Sequence, residues 1–311
     1  QHPAGGGSRC WFTAVVDIDV DVESRHPPVA DDIATRLRQR HAGRHVLVAE
    51  DDEVNQLVMR ELLGEVGLQV DTAVDGQAAV DRVTDRPYAL VVLDLRMPRL
   101  DGLAAARAMR AMPALHGTPI VAITANAFEE DRAACRAAGM NDFLPKPIDV
   151  ERLYEMLLHW LDRSPVGVAA PPPAPSVAAA AAQALPPGLD VRMVPLFGLE
   201  GVDALGGLAS VGGKVDVYRR LLGVFVKTHE ADGAAMRQQV LADDAQAAGR
   251  LAHRLRGSAA TLGLIDVETA AAALESAIDS ADLEVSLSLL ADGVHAALAN
   301  TLRQLRAVLP A

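Results

Sequence analysis

The sequence predicts two structured units of different class: an α/β domain with a parallel sheet over residues 45–162, and an all-α helical bundle over 187–311. Three observations carry this. Short apolar runs alternate with helical stretches from His45 to about Leu161, and strand alternating with helix implies a parallel sheet covered on both faces. A Pro/Ala-rich segment, including PPPAP and LPPG, interrupts the chain at 163–186. Beyond it Ala and Leu recur at helical spacing, with no convincing strand pattern. The 311 residues suffice for about two domains.

In chain order, residues 1–44 are irregular, with glycines at 5–7, the strand-like CWFTAVV and the turn-rich RHPP. Strands are predicted at HVLVA (45–49), LQVDTA (68–73), ALVVL (89–93), PIVAI (119–123) and DFL (142–144). Helices between them include Asn55–Leu63, Gln77–Val83 and Leu103–Met109. The segment 163–186 reads as a semi-rigid, extended linker.

Within the bundle, LAHRLRGSAATLGL (251–264) combines helical spacing with a glycine, which costs a helix about 1 kcal/mol relative to alanine. Ala248, Leu251, Leu255, Ala259 and Leu262 form a predicted buried stripe. His253 falls on the opposite, exposed face, beside Gly249, Arg250, Arg256, Gly257 and Ala260. A lone histidine on an Ala-rich helix is most simply a solvated one. An imidazole between two guanidinium groups, on a surface stripped of side chains, instead suits close approach by a macromolecule carrying negative charge.

A formal net charge of −12 argues against general nucleic-acid binding. Cys10 and Cys135 stand in unrelated contexts and suggest neither a metal site nor a disulfide, which fits a reducing cytoplasm. No apolar run approaches the roughly 18 residues of a membrane span.

Polar groups appear where the apolar strands end: Glu50 and Asp51 after the first, Asp94 after the third, Thr124 after the fourth and Lys146 after the fifth. In an open parallel sheet the carboxyl ends of the strands share one crevice, where ligands bind. Three carboxylates, a hydroxyl and an ammonium therefore converge. Clustered carboxylates repel unless a cation joins them, and oxygen-only donors suit Mg²⁺. A carboxylate nucleophile, a divalent metal and a lysine together describe phosphoryl transfer to aspartate.

The segments AEDDEVNQ (49–56), LDLRMPRLDG (93–102), ITANA (123–127) and PKP (145–147) closely resemble the signature motifs of response-regulator receiver domains, over residues 45–161. The resemblance implies a flavodoxin-like (βα)₅ fold with Asp94 as phosphoacceptor. It implies that Asp51, Asp94 and the Arg96 carbonyl hold Mg²⁺ and that Glu50 orients metal-bound water. Thr124 and Lys146 would grip phosphoryl oxygens, Phe143 would be the switch aromatic, and Lys146–Pro147 a cis peptide. Asp52 departs from related hybrid-kinase receivers, which usually have Asn, and adds negative charge near the site.

LAHRLRGSAATLGL is in turn similar to the active helix of histidine-phosphotransfer (HPt) domains, as are DVYRRLLGVFV (216–226) and ETAAAALESAI (268–278) to their flanking helices. This implies a four-helix bundle with His253 as a second phosphoacceptor. Arg256 stands where that family usually has Lys. Arg250 and Arg256 would offset charge on the transferring group, and Gly257 would let a receiver pocket approach.

GGGSRCWFTAVV looks like the closing strand of a kinase ATP-binding domain, so residues 1–44 read as its remnant plus a linker. The expectation is the rear portion of a bacterial hybrid sensor histidine kinase, acting as a cytoplasmic phosphorelay intermediate without a complete ATP-binding core. Its expected partners are a kinase core, in cis or in trans, and a downstream receiver. The main alternative is a phosphorylation-gated docking module without relay through His253. An aspartate-dependent phosphatase is disfavoured because Arg96 stands where a second Asp is needed. A dinucleotide-binding protein is disfavoured because no GxGxxG follows the first strand.

Overall fold

A computed structural model of the chain describes residues 29–124, 129–164, 190, 192–280 and 286–309. Five parallel strands, β1 (His45–Ala49), β2 (Gln69–Ala73), β3 (Leu90–Asp94), β4 (Ile120–Thr124) and β5 (Asp142–Pro145), form one sheet in the order β2-β1-β3-β4-β5. This is the flavodoxin-like order. β3 and β4 lie one residue later than the sequence reading placed them. That shift makes Asp94 and Thr124 the last residues of their strands, where the backbone ladder fixes their positions.

Around the sheet lie α1 (Val29–His41), α2 (Glu53–Glu65), α3 (Gly76–Asp85), α4 (Gly102–Arg110), the 3₁₀ turn Pro113–Leu115, α5 (Glu129–Ala137) and α6 (Val150–Leu161). Helices α2, α3, α4 and α6 start alike: Asp52, Asp75, Asp101 and Asp149 each accept a hydrogen bond from the backbone N–H three residues on. Strand side chains alternate between faces. Val46, Val48, Leu90, Val92, Val121 and Ile123 join the core containing α2 and α6, while Leu47, Val91, Leu93, Ile120 and Ala122 join the core containing α3 and α4. Gly102 is required at the start of α4, because any Cβ there would strike the Asp94 carbonyl.

Residues 29–41 differ from the linker expected of them. They form α1, which packs on α6 with Ile33, Ala34 and Leu37 buried. Asp162 ties the two together, accepting from Arg40 Nη1 at 2.9 Å and lying 2.8 Å from His41 Nε2. The buried positions at 33, 34, 37 and 41 are helically spaced, but the surrounding charge hides them in composition. The expected ATP-domain strand, most of the Pro/Ala-rich segment and residues 125–127 of ITANA lie outside the described residues.

The C-terminal part consists of α7 (Val194–Phe197), α8 (Ala204–Ala209), α9 (Val215–Thr228), α10 (Asp232–Leu241), α11 (Ala245–Leu262), α12 (Ile265–Ser280) and α13 (Leu287–Val308). Helices α10 to α13 close into a four-membered ring in which each packs on the next and α13 returns to α10. This is the expected four-helix bundle. Helix α9 packs outside it, against both the bundle and α2 of the sheet domain. Gly263, at φ 70°, terminates α11 in the left-handed conformation that glycine adopts without penalty. One correction concerns the buried stripe of α11. Ala248, Leu255, Ala259 and Leu262 are buried as predicted, but Ala252 replaces Leu251, which turns toward a cavity shared with the sheet domain.

Leu37 is fully buried although it lies outside the sheet domain's predicted start. Leu37→Ala is expected to destabilise that domain by about 2–4 kcal/mol. A thermal melt unchanged by the substitution would show that α1 is an appendage rather than part of the core.

Candidate functional site

The carboxyl ends of β1, β3, β4 and β5 bring Glu50, Asp51, Asp94, Thr124 and Lys146 to one edge of the sheet. Lys146 Nζ donates to Asp94 Oδ2 at 2.5 Å and to Glu50 Oε2 at 2.8 Å. Asn55 Nδ2 donates to Glu50 Oε1 at 3.2 Å, and the Arg96 backbone N–H to Asp94 Oδ1 at 3.1 Å. Lys146–Pro147 is cis, as expected.

Electrostatics at this edge are tense. Burial, and then the charge of Asp94, push the Asp51 carboxyl up to about 6. Burial lifts Glu50 well above the usual carboxylate range, against the pull of Lys146. Burial disfavours a charged Lys146 too, but Asp94 and Glu50 outweigh it and hold the ammonium protonated. One ligand oxygen each from Glu50, Asp51 and Asp94 lies within 4.8 Å of the others. Phe143 is half-buried, with the Arg132 guanidinium carbon 4.4 Å from its ring centre.

The second half of the site comes from the bundle. A cavity of about 620 Å³ is lined by Asp51, Asp94 and Thr124 on one side and Arg250, His253 and Arg254 on the other. The two predicted acceptors therefore open onto the same space. Across it, the helix face of α11 touches the sheet domain directly. A Cβ on Gly257 would lie 3.3 Å from Asn55 Nδ2 and 3.7 Å from Lys146 Nζ. Close approach at Gly257 is thus a feature of the chain's own packing.

His253 differs from expectation. It does point out of the bundle core, but only 8% of its surface is exposed, because α11 is apposed to the sheet domain and Glu275 covers one ring edge. Glu275 Oε1 lies 2.7 Å from His253 Nδ1. Burial alone would raise the Glu275 carboxyl, yet the bond to His253 and the Arg256 guanidinium bring it down to about 2. An ionised carboxylate can only accept, so Nδ1 carries the proton and the lone pair is left on Nε2.

The arginines also rearrange. Arg256 does not line the cavity; its Nη1 donates to Glu275 Oε2 at 2.9 Å, behind the histidine. Arg254 takes the place facing the carboxylates. Arg96 reaches across from the sheet domain, 3.0 Å from Glu275 Oε1 and 2.9 Å from Asp279 Oδ2. Glu275 and Arg254 were both missed in the sequence. Glu275 lies on α12, 22 residues from its partner, in a run of alanines. Arg254 is one residue from a histidine whose wheel position singled out only the three- and four-residue neighbours.

Asp52 adds charge near the pocket as expected, contributing to the rise of the Asp51 carboxyl, and it has two further partners: Oδ1 caps α2, and Oδ2 faces His229 Nε2 of the bundle at 3.3 Å.

A response regulator receiver domain model matches residues 46–158, and an Hpt domain model matches residues 220–308. The chain is a receiver domain followed by an Hpt domain, the C-terminal arrangement of hybrid sensor kinases. Similar curated proteins are the sensor protein GacS of Pseudomonas syringae, 31% identical over 78% of this chain, and BarA of Escherichia coli, 26% identical over 78%. Each match covers 25% of the relative, so this chain spans about a quarter of their length. Two-component system protein A of Emericella nidulans is 38% identical over 51% of the chain and 24% of that protein. Among solved structures, the receiver domain of the Pseudomonas aeruginosa sensor kinase PA1611, described with a coordinated magnesium ion, is 40% identical. It covers 39% of this chain and 99% of that one, with a TM-score of 0.37. These domains place the receiver–Hpt chain in two-component phosphorelay signalling, whose receivers and Hpt domains exchange phosphoryl groups with kinases and response regulators.

Among the described residues no helix is long and apolar enough to cross a membrane.

The tautomer argument is open to direct measurement. Imidazole ¹⁵N shifts in the full chain should show His253 protonated on Nδ1 and bare on Nε2. Glu275→Gln should redistribute that proton, since a neutral amide no longer demands a donor. An unchanged tautomer in the variant would remove Glu275 from the site's design.

Proposed function

We propose that this receiver–Hpt chain accepts a phosphoryl group on Asp94, passes it to His253 and delivers it to the receiver of a separate response regulator. The observation that carries this reading is that Asp94 and His253 open onto one cavity while Gly257 seats the α11 face against Lys146 and Asn55. In the first step a carboxylate oxygen of Asp94 attacks the phosphorus of a kinase phosphohistidine, and the N–P bond breaks. In the second, the Nε2 lone pair of His253 attacks that phosphorus, the P–O bond breaks, and the Asp94 carboxylate is restored. In the third, an aspartate of another receiver attacks and the His253 N–P bond breaks. The donor kinase core lies in cis or in trans, and the chain works in the cytoplasm.

The donor set fits magnesium. It consists of oxygens alone, and the repulsion that raises Asp51 is what a divalent cation relieves. Asp51, Asp94 and the Arg96 carbonyl would hold it, with Glu50 beside them to orient its water. Bound there, it supplies positive charge against the phosphoryl oxygens. The chain's own groups do the rest. Lys146 and Thr124 hold phosphoryl oxygens from the receiver side, Arg250 and Arg254 face them from the bundle side, and Glu275 keeps the His253 lone pair directed outward. Phe143, packed against Arg132, would be the switch aromatic.

Acetyl phosphate with Mg²⁺ should label Asp94 first and His253 later. The two are separable because acyl phosphates are lost in alkali and phosphohistidine is not. Asp94→Ala should remove both labels and His253→Gln only the alkali-stable one. Equal labelling of wild type and Asp94→Ala by intact-protein mass spectrometry would end this assignment.

Gly257→Leu tests the approach itself. Replacing a mid-helix glycine should favour α11 by several tenths of a kcal/mol or more. The new side chain meets Asn55 and Lys146 rather than the bundle core, so the melt should hold while transfer from Asp94 to His253 slows by orders of magnitude. Wild-type transfer in this variant would show that the contact at Gly257 is incidental.

A further inference from the structure

His229 is fully buried between two carboxylates belonging to different domains. Its Nδ1 lies 2.8 Å from Asp232 Oδ2, on the bundle, and its Nε2 lies 3.3 Å from Asp52 Oδ2, on the receiver. Ser258 Oγ, one residue past Gly257, is 3.0 Å from the same Nε2. The Phe225 ring centre sits 4.6 Å from the imidazole's, and Arg254 Nη2 holds Asp232 at 3.1 Å. Asp52 is itself buried, and its Oδ2 makes no regular hydrogen bond in the structure, so His229 is what offsets its charge. A buried carboxylate costs several kcal/mol unless a cation faces it. Burial works against a charged His229, but Asp232 and Asp52 together more than compensate and raise its affinity for a proton.

Other polar contacts between the domains differ in kind. Lys214 with Glu65, Arg220 with Glu61 and Arg96 with Asp279 are partly or largely exposed, and such pairs contribute little. Arg96 also reaches the buried Glu275 but is itself half-exposed, and the buried hydrogen bond from Thr261 Oγ1 to Asn55 Oδ1 is uncharged. Asp52 with His229 is buried on both sides, and desolvated ion pairs are where a wrong partner is penalised.

We propose that the Asp52–His229 pair selects this chain's own receiver for docking on the His253 face. A receiver with an uncharged side chain at the Asp52 position would leave His229 buried with one carboxylate where it now has two. A receiver with a cation there would be repelled. The pair is a specificity-determining contact rather than a catalytic one, since neither group lines the cavity between Asp94 and His253. This rests on the relay reading for its consequence, though not for the docking itself.

The test is a double-mutant cycle in the full chain. Asp52→Asn keeps the α2 cap, because asparagine caps as well as aspartate, and removes only the charge. His229→Gln removes the other partner, and its thermal melt reports whether the bundle stays folded. Docking is read by hydrogen exchange of α2 and α11 amides without any phosphodonor. Transfer is read as the rate of alkali-stable labelling from acetyl phosphate.

Each single variant should loosen docking and slow transfer about tenfold, with the double variant no worse than either, as coupled partners require. Additive losses, or full docking in Asp52→Asn, would overturn the pair. If His229→Gln unfolds the bundle, Asp52→Asn alone decides by the same exchange measurement. If wild type never labels His253, the relay reading fails, and hydrogen exchange still judges the pair.

Discussion

Phosphoryl transfer between two side chains requires donor and acceptor to face each other across a single phosphorus, and the proposed transfer in this chain depends on one contact. At Gly257 the α11 backbone comes within a methyl group's reach of Asn55 and Lys146. Everything else in the site is arranged around that seating. Asn55 is also the residue that holds Glu50, and Lys146 the one that holds Asp94 and Glu50. The groups that receive the helix are therefore those that order the carboxylates. A side chain at 257 would push the bundle away and press on the supports of the acidic pocket together. The same geometry explains why the alanines and glycine of α11 are compatible with a stable bundle: Ala248, Ala252, Leu255, Ala259 and Leu262 fill the core from the other face.

The receiver half was legible because its chemistry is placed by topology. In a parallel sheet the residue after each apolar run must arrive at the same edge, so Glu50, Asp51, Asp94, Thr124 and Lys146 could be grouped from one-dimensional spacing. Gly257 was legible for a related reason, since a helical wheel assigns faces. What a wheel cannot supply is the partner. Glu275 fixes the state of His253 from another helix, Arg256 turned out to serve Glu275, and Asp52 found its counterpart at His229. Each depends on a tertiary contact between segments with no sequence periodicity in common. The helix α1 was missed for a different reason. Its apolar positions are spaced regularly but are outnumbered by charges, and its stability comes from docking on α6 rather than from propensity.

Glu275 joins the two domains in an unexpected way. It accepts from Arg256, lies against His253 Nδ1, and is reached by Arg96 from the receiver, two residues beyond Asp94. One carboxylate therefore sets the tautomer of His253 and links it to the loop after Asp94. Arg96 leaves when the receiver leaves. The undocked histidine keeps Glu275 and Arg256, so its lone pair stays on Nε2 whichever receiver it meets.

That separation bears on direction. With His253 only 8% exposed, the chain's own receiver covers the atom that a second receiver would have to reach. If His253 is the relay's acceptor as proposed, docking and onward transfer are mutually exclusive, and the relay alternates between them. The interface is built for such alternation. Its exposed charge pairs are weak and salt-screened, and they cost little to break. Among the described residues the Asp52–His229 ion pair, buried on both sides, is compact and, on the proposal above, gives recognition without a large area of apolar contact. On the proposed relay, once the phosphoryl group has moved to His253 the Asp94 carboxylate is again an anion facing the phosphate it has just released. Repulsion between them, in a partly closed cavity of low dielectric, favours separation of the domains at the step where separation is needed.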